Sequence, residues 1–221
     1  MKKIFILILL LITSCQSNNT ENDTQTDNIK TTKTILALWD SLTAWYSLDL
    51  EDSYPMQLDT ILVSKWYQYE VINAWVSWNT SLQLLDRLDL YLNDPENLPE
   101  IVILVIWWND WLRGKKVEEI SDNIEKIIDK LKEKNIKVVL GWMKIPPNLW
   151  LFYSRDFFKQ YKAIAKKTDV YLIDFFLEDV AGYKKLNLND GIHPNKEWYR
   201  IVSKNVFKFL EDNNLIKKWL K

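Results

Sequence analysis

Glycine is scarce in this chain, with 4 in 221 residues, where ordinary globular proteins carry roughly 7%. Such a shortage sits badly with tight strand-to-helix turns. Those turns need positive φ and close backbone approach, which glycine supplies and a bulky side chain resists. Cysteine is down to 1, which excludes internal disulfides and a cysteine-based metal cluster. Histidine is also down to 1, His193, so a multi-histidine metal site is excluded and no metal is expected. An excess of either charge is missing: Lys+Arg 29 face Asp+Glu 30, for a net charge of -1. No basic stripe is visible, so nucleic acid is not an expected partner. No glycine-rich phosphate loop or cofactor motif is present, and no cofactor is expected.

Tryptophan is what the chain has instead, 12 of them. Glycine and tryptophan together make up about the 7% share expected of glycine alone. The tryptophans lie where turns are expected. Trp39 and Trp45 bracket Asp40-Ser41-Leu42, and Trp75 and Trp78 lie in a short polar segment. Trp107 and Trp108 directly precede Asn109-Asp110, and Trp111 follows it. A few bacterial lineages read the codon UGA as glycine. Translating such a gene with UGA as tryptophan produces this pattern, and glycine is the residue expected at most of these positions.

The N-terminus reads as an export signal. Lys2-Lys3 supply the charge, and Ile4 to Ile12 form an apolar run too short for a good spanning helix. Ile12-Thr13-Ser14-Cys15 resembles a bacterial lipobox. That resemblance implies cleavage before Cys15, lipidation there, and attachment to a membrane of the cell envelope through acyl chains. Residues 16–33 are polar, with almost no apolar content, and read as a flexible tether. The expected organisation is a signal peptide over 1–14, a tether over 15–33 and one domain over 34–221, long enough for a real core.

From residue 34 strands and helices alternate. Strands are expected at Thr34–Leu38, Glu70–Ala74, Ile101–Ile106, Ile136–Leu140 and Val170–Asp174. The third is a continuous run dominated by β-branched residues, suited to a strand buried on both faces. Helices are expected at Tyr54–Ser64, Ser81–Leu92, Asp156–Lys166 and Glu197–Leu210. Another is marked by Val117, Ile120, Ile124, Ile127, Ile128 and Leu131 at helical spacing. The pattern implies an α/β fold, a five-stranded parallel sheet with helices on both faces. Sites in such sheets form at the carboxyl ends of the strands, so the loops holding Ser41, Trp78 and Asn109 are expected to gather at one edge.

Each chemical signal is weak alone. Asp40-Ser41 after the first strand suits either a nucleophile or a helix cap. Asp190-Gly191-Ile192-His193 offers the chain's sole imidazole, with a carboxylate three residues earlier, or else a plain loop. The Asn109 side-chain amide can donate to an oxyanion or cap a turn. Ser77-Trp78-Asn79-Thr80 offers a backbone N–H or simply the start of the next helix.

Taken together, four blocks resemble the SGNH, or GDSL, hydrolase family. Trp39-Asp40-Ser41-Leu42-Thr43-Ala44-Trp45 is similar to the family's Gly-Asp-Ser-Leu-Thr-Ala-Gly. Asn73-Ala74-Trp75-Val76-Ser77-Trp78 is similar to Asn-Ala-Gly-x-Ser-Gly, and Trp107-Trp108-Asn109-Asp110-Trp111 to Gly-Gly-Asn-Asp-Gly. Asp190 to Pro194 matches Asp-x-x-His-Pro unaltered. Every glycine departure in these blocks is a tryptophan. Trp142 and Trp198 fit the same substitution, and Trp66 fits as a turn before the second strand. The resemblance implies a three-layer α/β/α, flavodoxin-like fold and a serine hydrolase. It implies Ser41 as nucleophile, His193 as base and Asp190 as its orienting acceptor. The implied oxyanion donors are the backbone N–H groups of Ser41 and Trp78 and the side chain of Asn109. Trp108 to Gly114 and Lys144 to Trp150 further resemble thioesterase I/lysophospholipase L1-like and arylesterase-like members. The implied substrates are small acyl esters, thioesters or lysophospholipids. A carbohydrate O-acetylesterase uses the same machinery. Were the tryptophans real, Trp107 and Trp108 would suit an aromatic platform on an inactive binding lipoprotein.

Overall fold

A computed structural model describes residues 32–39, 49–142, 151–174, 176–180, 183–188 and 194–219, with the backbone alone at 151–158. The chain divides into Met1–Thr31 and Thr32–Lys221. The first unit, with the lipobox-like segment, Cys15 and most of the polar tether, lies outside the described residues.

The second unit is built on a five-stranded sheet in the order β2-β1-β3-β4-β5. The strands are β1 (Lys33–Trp39), β2 (Tyr69–Asn73), β3 (Ile101–Val105), β4 (Lys137–Gly141) and β5 (Tyr171–Ile173), and all pairs are parallel. β1 starts at Lys33, the last residue assigned to the tether from its composition. β3 is buried along its whole length, as its unbroken apolar run requires. The helices are α1 (Tyr54–Ser64), α2 (Ser81–Arg87), α3 (Asp89–Leu92), α4 (Trp108–Leu112), α5 (Val117–Glu133), α6 (Leu151–Thr168) and α7 (Lys196–Asp212). α1 packs on α7, whereas α5 packs on both α2 and α6. Stepping from β1 outward to β2 and then back across to β3, β4 and β5 puts these two groups on opposite faces when each crossover is right-handed. The layered α/β arrangement expected from the alternation of elements is therefore the observed one.

Two helices differ from expectation. The single helix expected over Ser81–Leu92 breaks at Leu88, whose N–H bonds the Leu85 carbonyl in a tighter turn. That turn leaves Leu88 and Leu92 both buried. Residues 108–112, read as loop, form the short helix α4.

Five helices end in one way. After α1, α4, α5, α6 and α7 a residue in the left-handed region closes the helix: Trp66 (φ 63), Gly114 (φ 65), Asn135 (φ 59), Asp169 (φ 52) and Asn214 (φ 54). The following N–H returns to a carbonyl five residues back, as in Tyr67 to Leu62 (3.0 Å), Lys115 to Asp110 (3.0 Å) and Ile136 to Leu131 (3.1 Å). This is the Schellman closure, whose left-handed position is normally glycine and sometimes asparagine.

The C-terminal tail crosses the start of β2. Tyr67 and Lys218 form an antiparallel bridge. The Gln68 N–H donates to the Lys217 carbonyl (3.4 Å), and the Trp219 N–H to the Trp66 carbonyl (2.9 Å).

Candidate active site

The strand order reverses direction at β1: the chain leaves it toward β2 on one side and returns to β3 on the other. Crevices at the carboxyl ends of strands flanking such a reversal are where open α/β sheets hold their ligands. At this edge β1 lies between β2 and β3, with Ala37 level with Asn73 and Trp39 level with Val105. Ser41 follows β1 by two residues and lies outside the described residues, as do Asp40, Asp190 and His193. The two loops that flank the end of β1, those after β2 and β3, are described.

The loop after β2 is a tight turn. The Asn79 N–H reaches back to the Val76 carbonyl (3.3 Å). The third turn residue, Trp78, has φ 64. Positive φ at that position marks a type II turn, which calls for glycine or asparagine there. The central N–H, that of residue 78, takes no part in the turn's own hydrogen bond. Thr80 then caps α2 through a reciprocal box with Gln83. The Trp78 side chain is 63% exposed and gains little from burial.

The loop after β3 grips that turn through α4. Asn109 is buried, and its side-chain Nδ2 donates to the Asn79 carbonyl (3.0 Å). A primary amide carries two N–H groups, so this bond fixes the plane in which the other points. Asp110, also buried, accepts from the Ser81 N–H (2.8 Å) and from the Ser81 hydroxyl (2.8 Å). Asn123 of α5 donates to the same hydroxyl oxygen (3.0 Å). Burial pushes the Asp110 carboxyl above its ordinary value, against the opposing pull of the two Ser81 hydrogen bonds. Arg113, just past α4, donates through Nη2 to the Trp78 carbonyl (2.9 Å).

Asn109 and Trp78 lie at this edge, as their positions after strands imply, whereas the bonds that Asp110, Ser81, Asn123 and Arg113 make between the loops are not implied by the sequence blocks. A signal was present for one of them. Asn123 falls on the apolar stripe of α5, three residues after Ile120, and it is buried with that stripe. A polar side chain on a buried face requires a partner.

The segment carrying Asp190 and His193 is pinned at its ends. Asn187 and Pro194 form an antiparallel bridge. The Asn195 N–H bonds the Leu186 carbonyl (2.9 Å), and the Asn195 side chain caps α7 by accepting from the Trp198 N–H (3.1 Å). At the end of β1, the buried Trp39 indole donates to Asn73 Oδ1 (2.9 Å).

Trp107 is wholly buried and Trp108 partly so, their rings edge to face at 5.6 Å. The aromatic platform considered for a binding lipoprotein needs both rings in solvent, and the burial of Trp107 removes it.

Residues 37–201 match the model of the GDSL-like Lipase/Acylhydrolase family. An arylesterase of Vibrio mimicus is 34% identical over 163 residues, covering 74% of this chain and 80% of its own. The thioesterase 1/protease 1/lysophospholipase L1 of Escherichia coli is 33% identical over 165 residues, covering 74% of this chain and 76% of its own. Among solved structures, the psychrotrophic esterase EstA from Pseudoalteromonas sp., inhibited by monoethylphosphonate, superposes with a TM-score of 0.76 at 31% identity, over 83% of this chain and 99% of that one. With a sheet that reverses at β1, an asparagine and a left-handed turn on either side of that strand's end, and a family match over most of its length, the chain belongs to the GDSL-like lipase/acylhydrolase family and is a hydrolase of ester bonds.

Proposed function

We propose that this hydrolase acts on small acyl esters, thioesters or lysophospholipids through an acyl-enzyme formed on Ser41. The observation that carries the reading is the flanking of β1 by two donor loops already locked together, Asn109 on one and the turn at residue 78 on the other. A nucleophile just past β1 then meets its oxyanion donors without further assembly. In this reading Ser41 Oγ attacks the acyl carbonyl while His193 takes the hydroxyl proton. Asp190 accepts from the imidazole and offsets its charge. The N–H groups of Ser41 and residue 78, with the Asn109 side chain, receive the carbonyl oxygen as it becomes an anion. His193 returns the proton to the leaving group, and water then releases the acyl chain by the same steps.

The relatives' names support this substrate range, since they include an arylesterase and a thioesterase/lysophospholipase. The test is product analysis with three substrates: a lysophospholipid, an acyl thioester and an acetylated glycan. Release of fatty acid or free thiol with an idle glycan is the expected result. Release of acetate alone overturns the reading in favour of an O-acetylesterase.

Asn109→Ala is expected to lower kcat by about 10²–10³, the usual cost of one oxyanion donor. KM should change little, because the donor acts on charge that develops only in the transition state.

The tether and Cys15 add a location. A lipidated Cys15 would hold the domain at a membrane of the cell envelope through a polar segment of roughly twenty residues. Cys15→Ser is expected to release the protein from the membrane fraction with its activity unchanged. Retention of the variant in that fraction overturns the anchor.

A further inference from the structure

We propose that Arg113 is a positioning residue for the oxyanion site, holding the turn at residue 78 in the orientation catalysis needs. The inference rests on the reading that the N–H of residue 78 is an oxyanion donor. A turn residue at φ 64 is one rotation from several other accessible conformers, above all if it is glycine. Something must select one of them. Asn109 and Asp110 hold the last residue of the turn and the start of α2, at the Asn79 carbonyl and at Ser81. Arg113 alone reaches the carbonyl of residue 78 itself (2.9 Å) among the hydrogen bonds of the described residues. Its other terminal nitrogen lies 3.4 Å from Gln83 Oε1, the atom that also accepts the Thr80 N–H (3.0 Å). One planar fork therefore spans the turn and the cap of α2, a geometry that lysine cannot copy. Arg113 holds the carbonyl of residue 78, and the Asn79 N–H closes the turn on the Val76 carbonyl. Held on both sides, the peptide between residues 77 and 78, which carries the N–H of residue 78, has a defined direction. Arg113 is exposed and lies outside the core, so its role is separable from folding.

The test is steady-state kinetics of Arg113→Ala and Arg113→Lys beside Asn109→Ala, with urea unfolding of each. A misplaced donor costs on the order of 10–10² in rate. Arg113→Ala should lose that factor in kcat with KM and the unfolding midpoint little changed. Arg113→Lys should recover it only in part, and free guanidinium should restore activity to the alanine variant. Unaltered kcat in Arg113→Ala while Asn109→Ala is impaired overturns this proposal alone. Unaltered kcat in both variants overturns the oxyanion reading beneath it. A kcat loss that tracks a lower unfolding midpoint, and that guanidinium does not restore, overturns it in favour of a structural role.

A separate observation carries a second inference. Among the described residues, the side chains other than glycine at positive φ are asparagine, aspartate and tryptophan. Asparagine and aspartate visit that region routinely; a bulky aromatic does not. Both such tryptophans occupy sites defined by glycine: Trp66 closes α1 where Gly114 closes α4, and Trp78 is the third residue of a type II turn. Both are also exposed, at 74% and 63%, so no core packing offsets the strain. We infer that the native residues at 66 and 78 are glycines, encoded by UGA read as glycine. Trypsin cuts after Lys65 and Arg87, which puts Trp66, Trp75 and Trp78 on one peptide. Mass spectrometry of that peptide from the native cell should find it lighter by the tryptophan-to-glycine difference at both left-handed positions. A peptide at the mass of the tryptophan-bearing sequence, or UGG codons at 66 and 78, overturns the inference.

Discussion

A chain carrying Ser41→Ala should show no measurable turnover of a short-chain p-nitrophenyl ester, and His193→Ala should match it. The expected loss in kcat is on the order of 10⁶ for either, because nucleophile and base act as one unit. For the same reason the double variant should be no worse than either single one. The composition sharpens the test. His193 is the sole histidine, so no neighbouring imidazole can take over, and externally added imidazole is the clean rescue for His193→Ala. What remains in each variant is the contribution of the donors on the two flanking loops. Full turnover by Ser41→Ala would remove the assignment of the nucleophile, leaving the fold and the donor loops as described.

The second large effect separates two versions of the chain, one with tryptophan and one with glycine at all 12 tryptophan positions. The glycine version is expected to be the active one, by at least the roughly 10²–10³ that one working oxyanion donor supplies. The argument is local. At residue 78 an indole must occupy a backbone region that favours glycine, next to the N–H proposed as an oxyanion donor. At 107, 108 and 111 three indoles flank Asn109 in the sequence and pack on one another, Trp107 on Trp108 at 5.6 Å and Trp108 on Trp111 at 4.9 Å. Burial alone does not decide the issue, because Trp39 and Trp107 are fully buried and a core can absorb large rings. Equal esterase activity from the two versions would show that the rings are tolerated. It would make the left-handed tryptophans a local strain without functional weight.

The fold was legible because its signals are periodic. The run at Ile101–Val105 and the stripe from Ile120 to Leu131 could be read residue by residue, and both are buried as the spacing requires. Element ends were harder. α6 begins at Leu151, where Trp150 and the preceding prolines hide the start, and β5 keeps three residues of the five expected. The site was legible in its blocks but not in its wiring. Asn109 and Trp78 could be placed at the edge because they follow strands. That Asn109 bonds the Asn79 carbonyl, or that Asp110 holds Ser81, depends on contacts about thirty residues apart, and no local pattern encodes those. α4 was missed for a related reason: five residues of tryptophan, asparagine, aspartate and leucine have no helical periodicity to read.

The C-terminal tail, paired with the residues just before β2, bears on the free edges of the sheet. A parallel sheet exposes unpaired amides along its two outermost strands, and a second molecule can template on them. Here one margin is β5, only three residues long, and the backbone leading into the other, residues 66–68, is already paired with residues 217–219. The amides open to a second molecule are thereby confined to two short stretches, β5 and β2 itself.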